Sequence, residues 1–418
     1  MKQSYYKKDL IKFYQHHIPS RSSVLIIGNS KTFLFNTIKI HDKPTKKQTY
    51  QFIIFVDSVN SLEDIQNTFH AVRNNCTKDT RIILNYFNSL WLPILKIAEF
   101  FHLKDSQPKA NWLNTNDIKN LLELEHFQII KEGRRLLFPF YIPLLSHFIN
   151  TYIAPLPLCN HLCLTQYIIA RPIHITSQKN LTVSIIIPAR NEHGNIENII
   201  KTVPKLGKHT ELLFVEGHSV DNTWNEIKRV HRKYKNKDII CLRQRGIGKA
   251  DAVWKGFHRA TGDILMILDA DLSVRPNELK KFYNAILHEN GEFIFGSRLV
   301  YPIENGSMQT LNIFGNKIFS LLFSWILNQP IKDTLCGTKV LSKNNYIKIL
   351  KNRNYFGDFD PFGDFDLIFG AAKLNLKFSE IPVKYMTRTY GKTNISRFRH
   401  GLLLLRMTIF SLNKIKFI

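Results

Sequence analysis

The sequence predicts an α/β fold in two consecutive blocks, the first with buried parallel strands and the second a parallel doubly wound sheet. Three observations point there. Apolar runs of strand length recur, such as VLIIG at Val24–Gly28 and VSIII at Val183–Ile187. Segments of helical length separate them, which is the alternation of a parallel sheet. Charged motifs follow several of the runs directly, at the strand ends where such sheets bind ligands. The 418 residues suffice for two domains of roughly 100–200 residues each.

In the first block, Val24–Gly28 and Tyr50–Val59 read as buried parallel strands. Ser61, with Asp64 three residues on, marks a helix start. Arg81–Asn88 is the next strand, followed by helices over Leu90–Phe101 and from Asn116 to Glu125. Phe127–Leu137 reads as a strand pair turning at Glu132 and Gly133. Leu136–Pro172 is Pro-rich and apolar, and His174–Asn180 is polar, so a first domain over 1–150 and a linker over 151–180 are expected. In the second block, strands at Val183–Glu192, Glu211–Ser219, Asp238–Gln244 and Asp263–Asp271 alternate with helices at Ile196–Thr202, Asp221–Lys235 and Lys249–Thr261. This domain is expected over 181–400, with a basic, apolar tail at 401–418.

Lys and Arg number 58 against 33 Asp and Glu, a formal charge of +25. Such an excess attracts nucleic acid, anionic membrane or phosphorylated substrates. A basic, AT-rich coding composition, evident in abundant Lys, Asn, Ile and Phe, accounts for it equally well. No zinc-ligand spacing or other nucleic-acid module is recognisable, so no nucleic-acid partner is expected. The five cysteines are scattered and odd in number, which suggests a reducing compartment. The N-terminus lacks the apolar core of a secretory signal. No apolar stretch reaches the roughly 20 residues of a membrane span. Leu136–Leu164, Ile313–Leu327 and Leu402–Leu412 read instead as buried or interfacial segments.

The strongest chemical signal is Asp269-Ala270-Asp271, directly after an apolar strand. Two carboxylates two residues apart can share one hard cation, which would bridge the phosphates of a nucleotide diphosphate. On its own the pair reads equally well as an acidic turn before a helix beginning near Pro276. Its context decides. Pro188-Ala189-Arg190-Asn191-Glu192 closes the first strand of the block, and Val215 to Thr223 (VEGHSVDNT) closes the second. Gly246-Ile247-Gly248-Lys249-Ala250 precedes a helix, and Gly296-Ser297-Arg298 follows later. In this order, over about 210 residues, the motifs resemble those of the family 2 glycosyltransferases of the GT-A fold, a Rossmann-like nucleotide-diphospho-sugar transferase fold. The subgroup they are most similar to is the dolichyl- and polyprenyl-phosphate sugar synthases.

The resemblance implies a metal-dependent, inverting transfer from a nucleotide-diphosphate sugar, with Mg2+ or Mn2+ held by Asp269 and Asp271. It implies that Pro188, Ala189, Arg190, Glu192, Glu216, Gly248, Lys249 and Asp269 bind the nucleotide sugar. Glu192 and Glu216 can accept hydrogen bonds from ribose or base. The helix start after Gly248 offers free N–H groups to phosphate, and Lys249 adds charge. Arg298 and Arg388 can grip oxyanions bidentately, or they can form salt bridges. Gly217 stands where the family has a second acid, and Ser273 where the subgroup often has a further metal-binding side chain.

Asp333 to Lys339 (DTLCGTK) is similar to the family's acceptor loop. Of the acids Asp358, Asp360, Asp364 and Asp366, the resemblance favours Asp364 as general base. A phosphate acceptor, already an anion, would make a base dispensable. Glu380-Ile381-Pro382-Val383 and Arg388 to Thr393 (RTYGKT) resemble a closing segment over the phosphates. The acceptor implied is a polyprenyl phosphate or another glycan. The partner surface is then an anionic membrane, and the expected location is the cytoplasmic face, held peripherally.

Tyr50–Phe140 resembles the later half of a class I S-adenosylmethionine-dependent methyltransferase, notably in FVDSVNSLEDIQ and RIILNYFNSLWLP. The cofactor half departs from that family. The turn Ile27-Gly28-Asn29-Ser30-Lys31 has one glycine, and His41-Asp42 is the sole candidate for a ribose-binding acid. A degenerate domain with no functional S-adenosylmethionine site is expected, acting as a scaffold.

Overall fold

The structure is a computed structural model describing residues 5–28, 39–41, 48–101, 113–173, 181–301, 310–352, 364–388, 390–391 and 397–417. The chain forms two compact units, Met1–His174 with Leu412–Ile418, and Ile175–Ser411.

The N-terminal unit is built on six strands: β1 (Ser23–Gly28), β2 (Lys39–His41), β3 (Tyr50–Val56), β4 (Cys76–Phe87), β5 (Phe127–Arg135) and β6 (Thr165–Pro172). Their order is β2-β1-β3-β4-β6-β5. The first four run parallel, and β6 lies antiparallel between β4 and β5. The apolar runs of β1, β3 and β4 are buried on both faces, as a sheet covered by helices requires. Helix Ile65–Arg73 begins where Asp64 accepts the Asn67 N–H at 2.8 Å. Helix Thr115–Leu124 opens on a capping box between Asn114 and Asp117.

Two expectations are corrected here. Phe127–Leu137 is not a strand pair. Its glycine serves a different need: a Cβ on Gly133 would stand 2.5 Å from the Tyr167 hydroxyl, so the bare backbone admits a ring from β6. The linker over 151–180 is also displaced. Thr165–Pro172 is wholly buried and pairs along both edges, because TQYIIAR is an apolar strand whose proline sits at its end. The polar stretch His174–Asn180 lies outside the described residues, and the unit boundary falls between His174 and Ile175.

The C-terminal unit carries seven strands: β7 (Val183–Ala189), β8 (Thr210–Glu216), β9 (Asp238–Arg243), β10 (Ile264–Ile267), β11 (Phe293–Ser297), β12 (Lys339–Ser342) and β13 (Phe378–Pro382). Their order is β13-β11-β12-β10-β7-β8-β9. Strands β10, β7, β8 and β9 are parallel, as the alternation predicts. Strand β12 departs from it, lying antiparallel to both β10 and β11. Helices Ile196–Thr202, Thr223–Lys233 and Lys249–Arg259 connect the parallel strands. Thr223–Lys233 shows why they pack: Ile227 and Val230 are buried while its basic residues face out. The expected tail at 401–418 is divided. Helix Arg397–Ser411 belongs to this unit, and Leu412–Ile418 joins the other.

Candidate active site

The carboxyl ends of β7, β8 and β10 place most of the predicted residues together. Pro188 and Ala189 end β7 in register with Val215 and Glu216 of β8. Arg190 follows in solvent. The loops after these strands are stitched to each other. The Asn191 N–H donates to the Ser219 hydroxyl at 3.1 Å, and the Val220 N–H donates to the Asn191 side chain at 2.9 Å. Glu216 accepts the Ser219 N–H at 2.6 Å and faces Arg243 at 3.5 Å. Asn191 and His218 adopt positive φ values of 58° and 55°, the tight turns that aim these loops over the sheet edge.

Glu192 is buried. It accepts from the Asn195 amide at 2.7 Å, and its own N–H donates to the Thr223 hydroxyl at 2.9 Å. Burial pushes its carboxyl up to about 7, Asn195 opposes this, and the Asp271 charge adds to it.

After β9, the Gly246–Gly248 turn leads into helix Lys249–Arg259, with Gly248 at φ 94°. Asp251 in the first helical turn accepts the Gly246 N–H at 2.9 Å, and the Gly246 carbonyl lies 3.0 Å from His218 Nε2. Lys249 Nζ stands 2.7 Å from Asp269 Oδ1. The loop carrying Gly337 passes so close that a Cβ there would lie 2.0 Å from Asp269 Oδ2 and 2.5 Å from Lys249 Nζ. Burial would raise the Asp269 carboxyl, but Lys249, with Lys339 and Arg298 further off, holds it below the ordinary range.

Asp271 is oriented by Ser273, whose N–H and hydroxyl donate to Oδ1 at 3.0 and 2.7 Å. Arg388 meets the other oxygen at 2.6 Å. It is brought there because the Met386 N–H donates to the Ser273 carbonyl at 2.9 Å and Tyr385 bridges Val274. Gly391, at φ 78°, then passes beside the Asn191 carbonyl. Two acids from one strand end thus each meet a cation from a different element, Lys249 at a helix start and Arg388 on a loop.

Two residues of the predicted motifs pair with each other. Arg298 takes the salt-bridge alternative. It donates through Nε and Nη2 to Asp333 at 2.7 and 2.8 Å, a bidentate pair with Asp333 fully buried. Asn316 and the Arg298 N–H also donate to Asp333. Burial alone would lower the Arg298 value and raise that of Asp333, but their attraction reverses both and keeps the pair ionised. Asp333 is therefore committed inside the fold rather than offered to an acceptor. Glu380 supports it by accepting the Lys332 and Asp333 N–H groups at 2.6 and 3.1 Å. Asp364 begins helix Asp364–Lys373, and its side chain lies outside the described residues, as do Asp358, Asp360, Thr389, Lys392 and Thr393.

Sequence reasoning missed Asp251, whose signal was an acid in the first turn of a helix after a Gly-rich loop. It quoted Lys339 without giving it a role. That residue is buried, donates to the Cys336 carbonyl at 2.7 Å and adds positive field at Asp269.

Residues 184–350 match the family model for Glycosyl transferase family 2. A Pyrococcus furiosus dolichol-phosphate mannosyltransferase is 35% identical over 168 residues, 39% of this chain and 47% of that protein. The Saccharomyces cerevisiae dolichol-phosphate mannosyltransferase is 33% identical over 125 residues, 28% of this chain and 45% of that one. The chain thus spans under half the length of these two relatives. A Methanococcus voltae UDP-N-acetylglucosamine--dolichyl-phosphate N-acetylglucosaminyltransferase is 24% identical, with 54% of this chain covering 96% of it. Among solved structures, Mycobacterium tuberculosis glucosyl-3-phosphoglycerate synthase with Mn2+, UDP and product is 17% identical at a TM-score of 0.41, covering 57% of this chain and 81% of that one.

Proposed function

We propose that the C-terminal unit is a GT-A glycosyltransferase that moves a sugar from a UDP- or GDP-sugar to a polyprenyl- or dolichyl-phosphate acceptor, with inversion and with Mg2+ or Mn2+. The observation that carries the reading is the pairing of Asp269 with Lys249 and of Asp271 with Arg388, at the strand ends beside the Gly248 helix start. The family 2 match and the relatives' dolichyl-phosphate chemistry support it.

Asp269 and Asp271 are hard oxygen donors that suit either cation. Among the described residues no group of three or more His, Cys, Asp or Glu gathers there, so diphosphate oxygens and water would complete the coordination. When bound, the cation supplies charge stabilisation to the leaving diphosphate. This chain's residues do the rest. Lys249 and Arg388, once exchanged off the carboxylates, are cations at hand for the diphosphate. The N–H groups opening helix Lys249–Arg259 add dipolar stabilisation. Glu192 and Glu216 line the nucleoside side. An acceptor phosphate needs no deprotonation, so Asp364 would orient it or, with a hydroxyl acceptor, serve as base.

A lipid acceptor is supported by apolar stripes on two helices that pack together, Thr310–Leu327 and Arg397–Ser411. Phe314, Ile318 and Leu321 are exposed on the first, and Leu402, Leu405 and Ile409 on the second. No helix among the described residues is long and apolar enough to cross a membrane. Peripheral attachment to the cytoplasmic face is part of the proposal.

The N-terminal unit is proposed to be a degenerate methyltransferase-like scaffold. Asn29–Lys31 and Asp42 lie outside the described residues. Support comes from the carboxyl ends of β3 and β4, where Asp57 and Asn85 are taken up by the chain's own Tyr6 and Tyr14.

The test is a donor screen of the purified full chain with UDP- and GDP-sugars, with and without metal and polyprenyl phosphate. Transfer that requires both metal and lipid phosphate is expected. Transfer only to a saccharide would replace the acceptor. Turnover unchanged after Asp269→Ala with Asp271→Ala would overturn the whole reading.

A further inference from the structure

The N-terminal unit wears part of its sequence inside out. Residues Leu136–Leu164 include no Asp, Glu, Lys or Arg. Yet Phe140, Tyr141, Leu144, Phe148, Leu158 and Leu162 stand in solvent, Leu144 at 88% and Leu158 at 87% exposure. Ser146 and Thr151 of the same stretch are buried, Asn150 is half-buried, and His147 and His161 are exposed. Buried Ser146 accepts the Ile142 N–H at 2.6 Å and donates to the Phe140 carbonyl at 2.8 Å. Asn150 accepts the Phe138 N–H at 2.9 Å and donates to the Phe138 carbonyl at 2.8 Å. A segment in water gains by the opposite arrangement. One that satisfies its backbone internally and offers apolar side chains outward suits an apolar medium.

A second element continues this surface. Helix Leu92–Phe100 exposes Ile94, Ile97 and Phe100, with Leu90 and Phe101 exposed at its two ends. It is tied to the first segment by the Trp91 Nε1–H donating to the Leu162 carbonyl at 2.8 Å and by Asn88 donating to the Cys163 carbonyl at 2.9 Å.

Basic residues from both chain ends border the face. Tyr5, with its ring 5.8 Å from that of Tyr141, opens a helix bearing Lys7, Lys8 and Lys12. The acid of that helix, Asp9, is paired with Arg135 at 3.0 Å. Phe417, 5.4 Å from Tyr152, follows a helical turn bearing exposed Lys414.

We propose that this face docks on an anionic lipid bilayer, with the uncharged segment and helix Leu92–Phe100 in the interfacial layer and the bordering lysines against the headgroups. A second copy of the chain fits less well, because it would bring the same lysines together on molecules of formal charge +25 each. The proposal rests on the lipid-acceptor reading only in giving that acceptor's membrane a landing site. It turns the N-terminal unit from a scaffold into the anchor.

Co-sedimentation of the full chain with phosphatidylcholine vesicles, with and without phosphatidylglycerol, tests it. Binding that needs phosphatidylglycerol and weakens with salt is expected. Replacing exposed Leu144, Phe148 and Leu158 together by Glu lowers partitioning roughly tenfold or more. Single Leu158→Glu gives a smaller loss in the same direction, should the triple variant fold poorly by circular dichroism. Lys7→Glu with Lys8→Glu reduces the preference for phosphatidylglycerol. The Asp269→Ala, Asp271→Ala variant sediments like the wild type, so membrane binding and sugar transfer are read separately. Binding equal to that of the wild type by both the triple and the single Glu variants would overturn the proposal. So would a wild-type dimer by light scattering that ignores vesicles and becomes monomeric in the triple variant.

Discussion

The two sheets of this chain finish their parallel strands in opposite ways. In the C-terminal unit, Asp269 and Asp271 meet two cations from separate elements, Lys249 at the start of helix Lys249–Arg259 and Arg388 on a loop. In the N-terminal unit, the same edge carries Asp57 and Asn85, and the first helix closes over them. Tyr6 donates to both Asp57 oxygens at 2.6 Å, Tyr14 donates to Asn85, and Asn85 donates to Asp57. Burial and the Asp57 charge raise both phenols, which therefore stay protonated donors. A charged ligand can exchange places with an ion pair formed by a helix's first residue or by a loop. It cannot displace neutral phenols, one half-buried at Tyr6 and one buried at Tyr14, without moving the helix that carries both. Strand-end acids become a site only where their partners can be traded.

The sharpest way to break this contrast is to neutralise each edge. Asp269→Asn with Asp271→Asn is expected to lower the proposed sugar transfer by roughly a thousandfold or more, the scale of losing preorganised charge at a transition state. Asp57→Asn in the other sheet leaves transfer unchanged. A product assay under saturating metal reads both. Comparable losses from the two would abolish the distinction.

Arg298 and Asp333 make a second contrast, a closed pair inside the unit that holds the open ones. Asp333→Ala leaves a buried guanidinium without its counter-ion and is expected to cost about 3–5 kcal/mol in denaturant unfolding of that unit. Arg298→Lys keeps the charge but loses the bidentate fork, so most of its effect should also fall on stability. A large fall in transfer without loss of stability would restore Arg298 as an oxyanion grip.

Glu192 adds a pH signature to the open edge. Its carboxyl is pushed from 4.5 up to about 7, so the folded state favours the protonated form. The associated stability is complete below the unfolded value near 4.5 and is lost as pH rises through 7. At 1.36 kcal/mol per unit the upper limit is about 3 kcal/mol. Glu192→Gln should flatten unfolding stability across this window and make the unit more stable than wild type at pH 8. A variant that keeps the wild-type slope would assign the titration elsewhere.

The open edge was far easier to read in the sequence than the closed one. Apolar runs gave β1, β3, β4, β7, β8 and β10, because strands buried on both faces need apolar residues throughout, and a shorter run gave the half-buried edge strand β9. The charged motifs lie directly after those runs, so Asp269, Asp271, Glu192, Glu216 and Lys249 were legible at once. Illegible were the features set by distant pairing. Asp333 lies 35 residues from Arg298, and nothing local distinguishes a buried counter-ion from an acceptor-loop acid. Strand β6 hid behind a proline-rich stretch because its neighbours β4 and β5 are supplied by earlier parts of the chain. Gly133 read as a turn because the ring it admits comes from β6. Tyr6 and Tyr14 drew no attention, since a tyrosine's partner depends on where its helix packs.

The smallest effect tests the closed edge itself. Tyr14 and Asn85 are both buried, so Tyr14→Phe removes a donor and leaves the Asn85 oxygen short of a hydrogen bond where water does not reach. The cost should be about 1–3 kcal/mol in the stability of the N-terminal unit, with sugar transfer unaffected. Hydrogen exchange of the β3 and β4 amides reads this unit alone. If the edge is sealed for structure, neither wild type nor Tyr14→Phe gives micromolar binding of S-adenosylmethionine by calorimetric titration. Micromolar binding by the wild type would mean that the helix lifts to admit a ligand. The phenols would then be exchangeable partners after all, and the contrast between the two sheets would fail at its weaker side.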